Sequence, residues 1–226
     1  MITRTGTIKK TDAMEFAKIR STGIRAINLD EGDELAFCSM SSGNDTIIIA
    51  THNGQGIHFK ETEVRSMGRN AAGVRGIMLR DKDHVVGLEV VPEGAVAEVL
   101  FATSQGYGKR VSTTDFRVAH RGGVGVRTIP TAGRNGYVIG LAHVTDESNV
   151  LLIDTNGKVI RLSPQEIRTM GRQAKGVRLV RLDQGQELAA MVAFEMGEET
   201  TEQVEPAPTN DAVVQGVIAS THEEEK

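Results

Sequence analysis

Through residue 194 the apolar positions fall into short runs separated by clusters of Gly, Asn, Asp and Ser. DTIIIAT, AEVLFAT and NVLLIDT are almost continuously apolar, whereas ELAFCSM, HVVGLEVV, YVIGLAHV and ELAAMVAF mix apolar and small residues. Runs this short, rich in β-branched residues and bounded by turn formers, predict strands and hairpins. No segment sustains a 3.6-residue period long enough for a regular helix, so helix is expected to be sparse.

The runs belong to an internal repeat. TRTGTIKKTDAMEF, THNGQGIHFKETEV, TSQGYGKRVSTTDF and DTNGKVIRLSPQEI align on turn glycines Gly6, Gly54, Gly106 and Gly157, at spacings of 48, 52 and 51 residues. A second glycine follows 17 to 19 residues later, at Gly23, Gly73, Gly125 and Gly176, and each is followed by an apolar residue and Arg. Units of about 50 residues with four short strands are the signature of propeller-like blades, since helical solenoid repeats are shorter. The prediction is an all-β chain of four four-stranded blades, about 1–48, 49–100, 101–150 and 151–194. No long apolar run precedes Gly6, so the first blade is expected either to borrow a strand from the end of the array or to belong to a longer chain.

Charge divides the chain in two. Residues 195–226 hold nine acidic residues and one basic one, so the net charge of −4 conceals a body with 25 basic and 21 acidic residues. The tail lacks aromatic residues and sustained periodicity and is expected to be disordered, apart from the apolar run Val213–Ile218. A flexible acidic tail is further expected to compete with phosphate for the basic body. No apolar stretch approaches the ~20 residues of a membrane span, and no signal peptide is evident, which predicts a cytoplasmic protein. The single cysteine, Cys38, lies in the run LAFC and reads as a small core residue; it excludes an internal disulfide framework.

The candidate chemistry is cationic and repeats with the fold. Lys9, Lys10, Lys60, Lys109, Arg110, Lys158 and Arg161 follow the turn glycines; Arg65, Arg117 and Arg168 share a second position, and Arg69, Arg121 and Arg172 a third. In a ring of blades these positions form a belt, which suits phosphate contacts on bent duplex DNA. Side chains alternate along strands, so some cations after the turns are expected outside, where neutralising Lys109 and Arg110 would leave the fold intact. Arg25, Arg75, Arg127 and Arg178, after the second glycines, read as partly structural. In the competing reading the arginines pair between blades and the belt binds an acidic protein. Two tyrosines and no Trp are too few for a single-strand stacking platform. No catalytic, metal or cofactor constellation emerges: Gly171 and Gly176 have P-loop spacing without its Lys-Ser/Thr, and the six histidines lack ligand spacing.

VRSMGRNAAGVRGIML (64–79), ATSQGYGKRVSTTDFR (102–117) and IRTMGRQAKGVRLVRL (167–182) resemble the C-terminal domain of the A subunit of bacterial DNA gyrase, and the likeness runs from about Met1 to Phe194. The resemblance implies a β-pinwheel whose blades exchange strands and whose rim wraps duplex DNA. It also implies partnership with the cleavage domain of gyrase A and with gyrase B, in ATP-dependent negative supercoiling at the nucleoid. The family's hallmark box, Gln-Arg-Arg-Gly-Gly-Lys-Gly, has its nearest counterpart at His120-Arg121-Gly122-Gly123-Val124-Gly125, with Val124 where the box has Lys. Nothing corresponds to the cleavage domain, so no enzymatic activity is expected of this segment alone. The related topoisomerase IV protein, with fewer blades and degenerate boxes, is the near alternative.

Overall fold

The computed structural model describes residues 1–19 and 21–195; the acidic segment beyond, with its expected disorder, lies outside the described residues. The first repeat supplies β1 (Ile2–Thr3), β2 (Thr7–Ile8) and β3 (Leu35–Phe37). The second supplies β4 (Thr46–Thr51), β5 (Gln55–Lys60), β6 (Val74–Arg75) and β7 (Val85–Val91). The third supplies β8 (Glu98–Thr103), β9 (Tyr107–Ser112), β10 (Val126–Arg127) and β11 (Val138–Val144). The fourth supplies β12 (Ser148–Asp154), β13 (Val159–Leu162), β14 (Val177–Arg178) and β15 (Leu188–Glu195). Four single-turn 3₁₀ segments are the helical content among the described residues.

Each repeat opens on a hairpin whose turn glycine has positive φ, from 77° at Gly106 to 90° at Gly6. That region is costly for any residue with a Cβ, which explains why the glycine recurs. Thr3, Thr51 and Asp154 secure the turns by accepting the amide protons of Thr7, Gln55 and Lys158 on their side-chain oxygens.

The sheets form a four-bladed propeller with exchanged strands. Their orders are β3-β1-β2-β6, β10-β5-β4-β7, β11-β8-β9-β14 and β13-β12-β15. The short Val-Arg strand of each later repeat thus completes the sheet of the repeat before it, and the fourth sheet has three strands. β3 packs on β7, β7 on β11 and β11 on β15, which makes these the inner row and places β6, β10 and β14 on the outer edge.

Packing between sheets accounts for the hydropathy pattern. Ile47 and Ile49 of β4 join Ile2 and Ile8 in one core, while Ile48 and Ala50 face Val99, Phe101 and Val111 in the next. β4 is buried on both faces and therefore reads as a continuous apolar run. In β12 Val150 and Leu152 are fully buried whereas Leu151 and Ile153 are half-buried, the alternation of a strand covered on one side.

Three expectations are corrected. Of the two alternatives for the first sheet, borrowing a strand from the end of the array fails, because Ile2–Thr3 supplies it: Ile2 is fully buried and pairs with Ile8 and Phe37. Boundaries at 48, 100 and 150 would cut β4, β8 and β12, each of which lies whole in its sheet, so the repeats begin a few residues earlier. Cys38 is exposed, because β3 ends at Phe37 and the chain leaves the sheet there.

Candidate nucleic-acid interface

The cations immediately after the turns divide by burial. Lys9 and Lys109 are 1% and 0% exposed, so neither offers its ammonium to a ligand on the surface. Lys9 Nζ donates to the carbonyls of Ala26 (2.6 Å) and Arg69 (2.5 Å). Lys109 Nζ reaches across to the fourth repeat and donates to Gly171 (2.9 Å), Arg172 (2.5 Å) and Ala174 (3.0 Å). Burial, with the nearby Arg172 charge, pulls the Lys109 pKa down to about 8, against a smaller upward pull from Asp115.

The next position binds across the same junction. Arg110 is ion-paired with Glu98 and with Asp146 (2.8 Å) and donates to the carbonyl of Pro164 (2.9 Å). Half-buried Lys10 lies 3.4 Å from the Glu61 carboxylate. Arg161 hydrogen-bonds Asn149 at 2.8 Å. The expectation of an outward Lys109 and Arg110 fails because β9 is an interior strand: β8 and β14 flank it, and the next repeat packs over its face.

The Arg69, Arg121 and Arg172 set forms a repeated clamp. Their Nη1 atoms donate to the carbonyls of Arg25 (3.1 Å), Arg75 (3.0 Å) and Arg127 (3.2 Å), each in the preceding repeat. The box-like loop at 120–125 is part of this clamp: Arg121 also binds the carbonyl of Glu63 through Nε, and Gly125 lies where a Cβ would come 2.2 Å from the carbonyl oxygen of Gly56. The glycines with P-loop spacing bracket the loop that receives the Lys109 ammonium.

What remains outside lies along the outer edge. Segments 65–75, 117–127 and 168–178 each run along the preceding sheet, from parallel bridges at Ser66, Val118 and Thr169 to the exchanged strands. Arg65, Arg117 and Arg168 stand exposed at one end of these segments, and Arg75, Arg127 and Arg178 at the other. Lys60 and Lys158 are exposed as well. The arginines read as partly structural are therefore on the surface; the carbonyls of Arg25, Arg75 and Arg127, not their guanidinium groups, take the contacts between repeats, whereas the Arg178 guanidinium itself reaches the preceding repeat. The signal in the sequence was the unvarying place of Arg one residue beyond the Gly-apolar pair.

The third junction carries an aromatic addition. Arg178 Nη2 donates to Tyr107 Oη at 3.0 Å, and the guanidinium groups of Arg134 and Arg178 lie 4.8 and 5.5 Å from the Tyr107 ring centroid. The Arg178 hydrogen bond, with both guanidinium charges, holds the Tyr107 phenol below its ordinary pKa. Below it opens a groove of about 530 Å³ lined partly by Arg181, Gln184 and Glu187.

Comparison with known proteins matches residues 1–42, 45–92, 97–145 and 149–195 to the family described as the DNA gyrase C-terminal domain, beta-propeller. The chain is 42% identical over 204 residues to the DNA gyrase A protein of Chlamydia pneumoniae, covering 89% of this chain and 24% of that protein. It is 39% identical over 209 residues to the DNA gyrase A protein of Staphylococcus aureus (strain NCTC 8325 / PS 47), covering 92% and 24%. It thus spans about a quarter of the length of these relatives. Among solved structures, the C-terminal domain of DNA topoisomerase IV superposes with a TM-score of 0.80 at 24% identity, covering 86% of this chain and 60% of that one. The DNA gyrase A C-terminal domain gives 0.76 at 23%, covering 85% and 64%. These two likenesses are of fold.

Proposed function

The chain belongs to the family of DNA gyrase C-terminal β-propeller domains, and on that premise we propose that it binds duplex DNA, without base readout, along its outer edge and bends it around the propeller. The observation that carries this reading is the recurrence, at three junctions, of an exposed Arg at each end of the segment that runs along the preceding sheet: Arg65 and Arg75, Arg117 and Arg127, Arg168 and Arg178. Guanidinium groups at repeat intervals on a curved perimeter meet successive phosphates, and the counterions released offset the cost of bending. Within a complete enzyme the module would act beside the cleavage domain of gyrase A and gyrase B to support ATP-dependent negative supercoiling on chromosomal DNA in the cytoplasm. The curated relatives at about 40% identity are gyrase A proteins, which favours gyrase over topoisomerase IV.

The nine acidic residues and one basic residue of 195–226 belong to the same chain and would compete with phosphate for this cationic edge, so deleting 197–226 should tighten binding at low salt. The deciding experiment is duplex binding measured over a range of salt. Affinity should fall steeply and linearly on logarithmic axes and be indifferent to base sequence. Binding that ignores salt, or preference for an acidic protein over DNA, would sink the reading.

A further inference from the structure

The three formed junctions differ at the residue that follows the turn glycine and faces the exchanged Arg. Thr7 faces Arg75, Gln55 faces Arg127, and Tyr107 faces Arg178. The third of these residues is aromatic, and the guanidinium groups of Arg134 and Arg178 both gather at its ring. A π face attracts each cation, yet two guanidinium groups at one ring repel each other. Among the described residues neither is ion-paired to a carboxylate. Both arginines are exposed, so the third junction concentrates positive charge where an anion can reach it.

Arg134 is placed there by a fastened loop. Between β10 and β11 the chain runs for ten residues, one more than between β6 and β7 or between β14 and β15, and the longer loop carries Arg134 to the next repeat. Arg134 Nη2 donates to the Gly176 carbonyl at 3.1 Å. The neighbouring Asn135, 2% exposed, donates from Nδ2 to the carbonyls of Pro130 (2.8 Å) and Lys175 (3.0 Å). Arg178 is held by Tyr107 Oη, which accepts from its Nη2 and keeps its own hydrogen for a further acceptor. Guanidinium groups ordered before a ligand arrives lose less side-chain entropy on meeting it. The cluster opens on the groove of about 530 Å³, whose wall adds Arg181. The carboxylates of that wall are Asp183 and Glu187, the latter bound by Gln105 Nε2 at 2.7 Å.

We propose that Tyr107, Arg134 and Arg178 together seat one backbone phosphate of the duplex, which makes the third junction the firmest hold on the DNA; this rests on the duplex binding proposed above. Two guanidinium groups and a phenolic hydroxyl donate to the phosphate oxygens, where the matching places of the first two junctions offer one guanidinium beside Thr7 or Gln55. The test measures the affinity of full-length variants for one duplex over a range of salt by fluorescence anisotropy, with thermal unfolding as the check on the fold. Arg134→Gln should weaken binding about tenfold and lower the slope of log affinity against log salt by roughly 1, whereas Arg134→Lys, which keeps the charge, should keep the slope. Tyr107→Phe retains the ring and removes the hydroxyl donor, so it should weaken binding about threefold at an unchanged slope. Arg178→Gln should cost more affinity than Arg127→Gln at the second junction. A wild type that binds duplex with the expected salt dependence but loses nothing in Arg134→Gln or in Tyr107→Phe, or loses as much in Arg127→Gln as in Arg178→Gln, overturns the phosphate seat and leaves duplex binding standing. A wild type that does not bind duplex overturns both.

Discussion

The Arg121 guanidinium donates to the backbone carbonyl of Arg75 at 3.0 Å, so the third repeat grips the strand that the second has placed on the first. One hydrogen bond therefore involves three successive repeats. The same bond recurs from Arg172 to Arg127, and it leaves the side chains of Arg75 and Arg127 at the surface.

Because the backbone of these arginines carries the junction, Arg75→Gln with Arg127→Gln should leave thermal stability nearly unchanged. The pair should weaken duplex binding on all sequences alike and lower the slope of log affinity against log salt by roughly 2. Unchanged affinity and slope, measured by fluorescence anisotropy, would remove the outer edge from the DNA path.

Lys109→Met keeps the chain length but deprives the carbonyls of Gly171, Arg172 and Ala174 of their shared donor. The expected loss is about 2–4 kcal/mol in urea unfolding, since buried acceptors are left unpaired. The Lys109 pKa falls from 10.5 to about 8 on folding, so between those values the folded protein holds fewer protons than the unfolded chain. This group's contribution to stability therefore rises with pH from about 8 to 10.5. The gap between wild type and Lys109→Met should widen across that window.

Arg110→Met removes the ion-pair partner of half-buried Glu98 and exposed Asp146 and leaves the Pro164 carbonyl without this donor. With the carboxylates partly open to solvent the loss should be about 1–3 kcal/mol, so the variant should unfold at lower urea. Together with Lys109→Met it should fail to fold stably at 37 °C, which circular dichroism would register.

Gly108→Val should be among the most damaging single changes. A Cβ there would lie 2.3 Å from the carbonyl oxygen of Phe101 and 2.5 Å from the Leu179 side chain, so the exchanged strand β14 could not seat. Gly94→Ala, at a turn with open space around it and φ of 74°, should cost only about 1 kcal/mol of backbone strain. Equal stabilities for the two variants would show that β14 contributes little.

The repeat, its strands and its turns were legible in the sequence because they rest on local rules. A glycine at φ near 80° is needed wherever the hairpin turns, and a strand covered on both faces must be apolar throughout, as Thr46–Thr51 is. Arg65, Arg117 and Arg168, assigned to the belt from their shared position in the repeat, are exposed. Only the tertiary structure decided which of the remaining cations meet solvent. Lys109 sits in an alternating strand, yet it is buried because β14, from the next repeat, closes one edge and the loop leading into β14 offers three carbonyls to its ammonium. Arg127, after a glycine that suggested close packing, is exposed because its backbone makes the contact and its side chain is left over. Alternation along a strand says which residues share a face; whether that face meets water depends on what the rest of the chain lays against it.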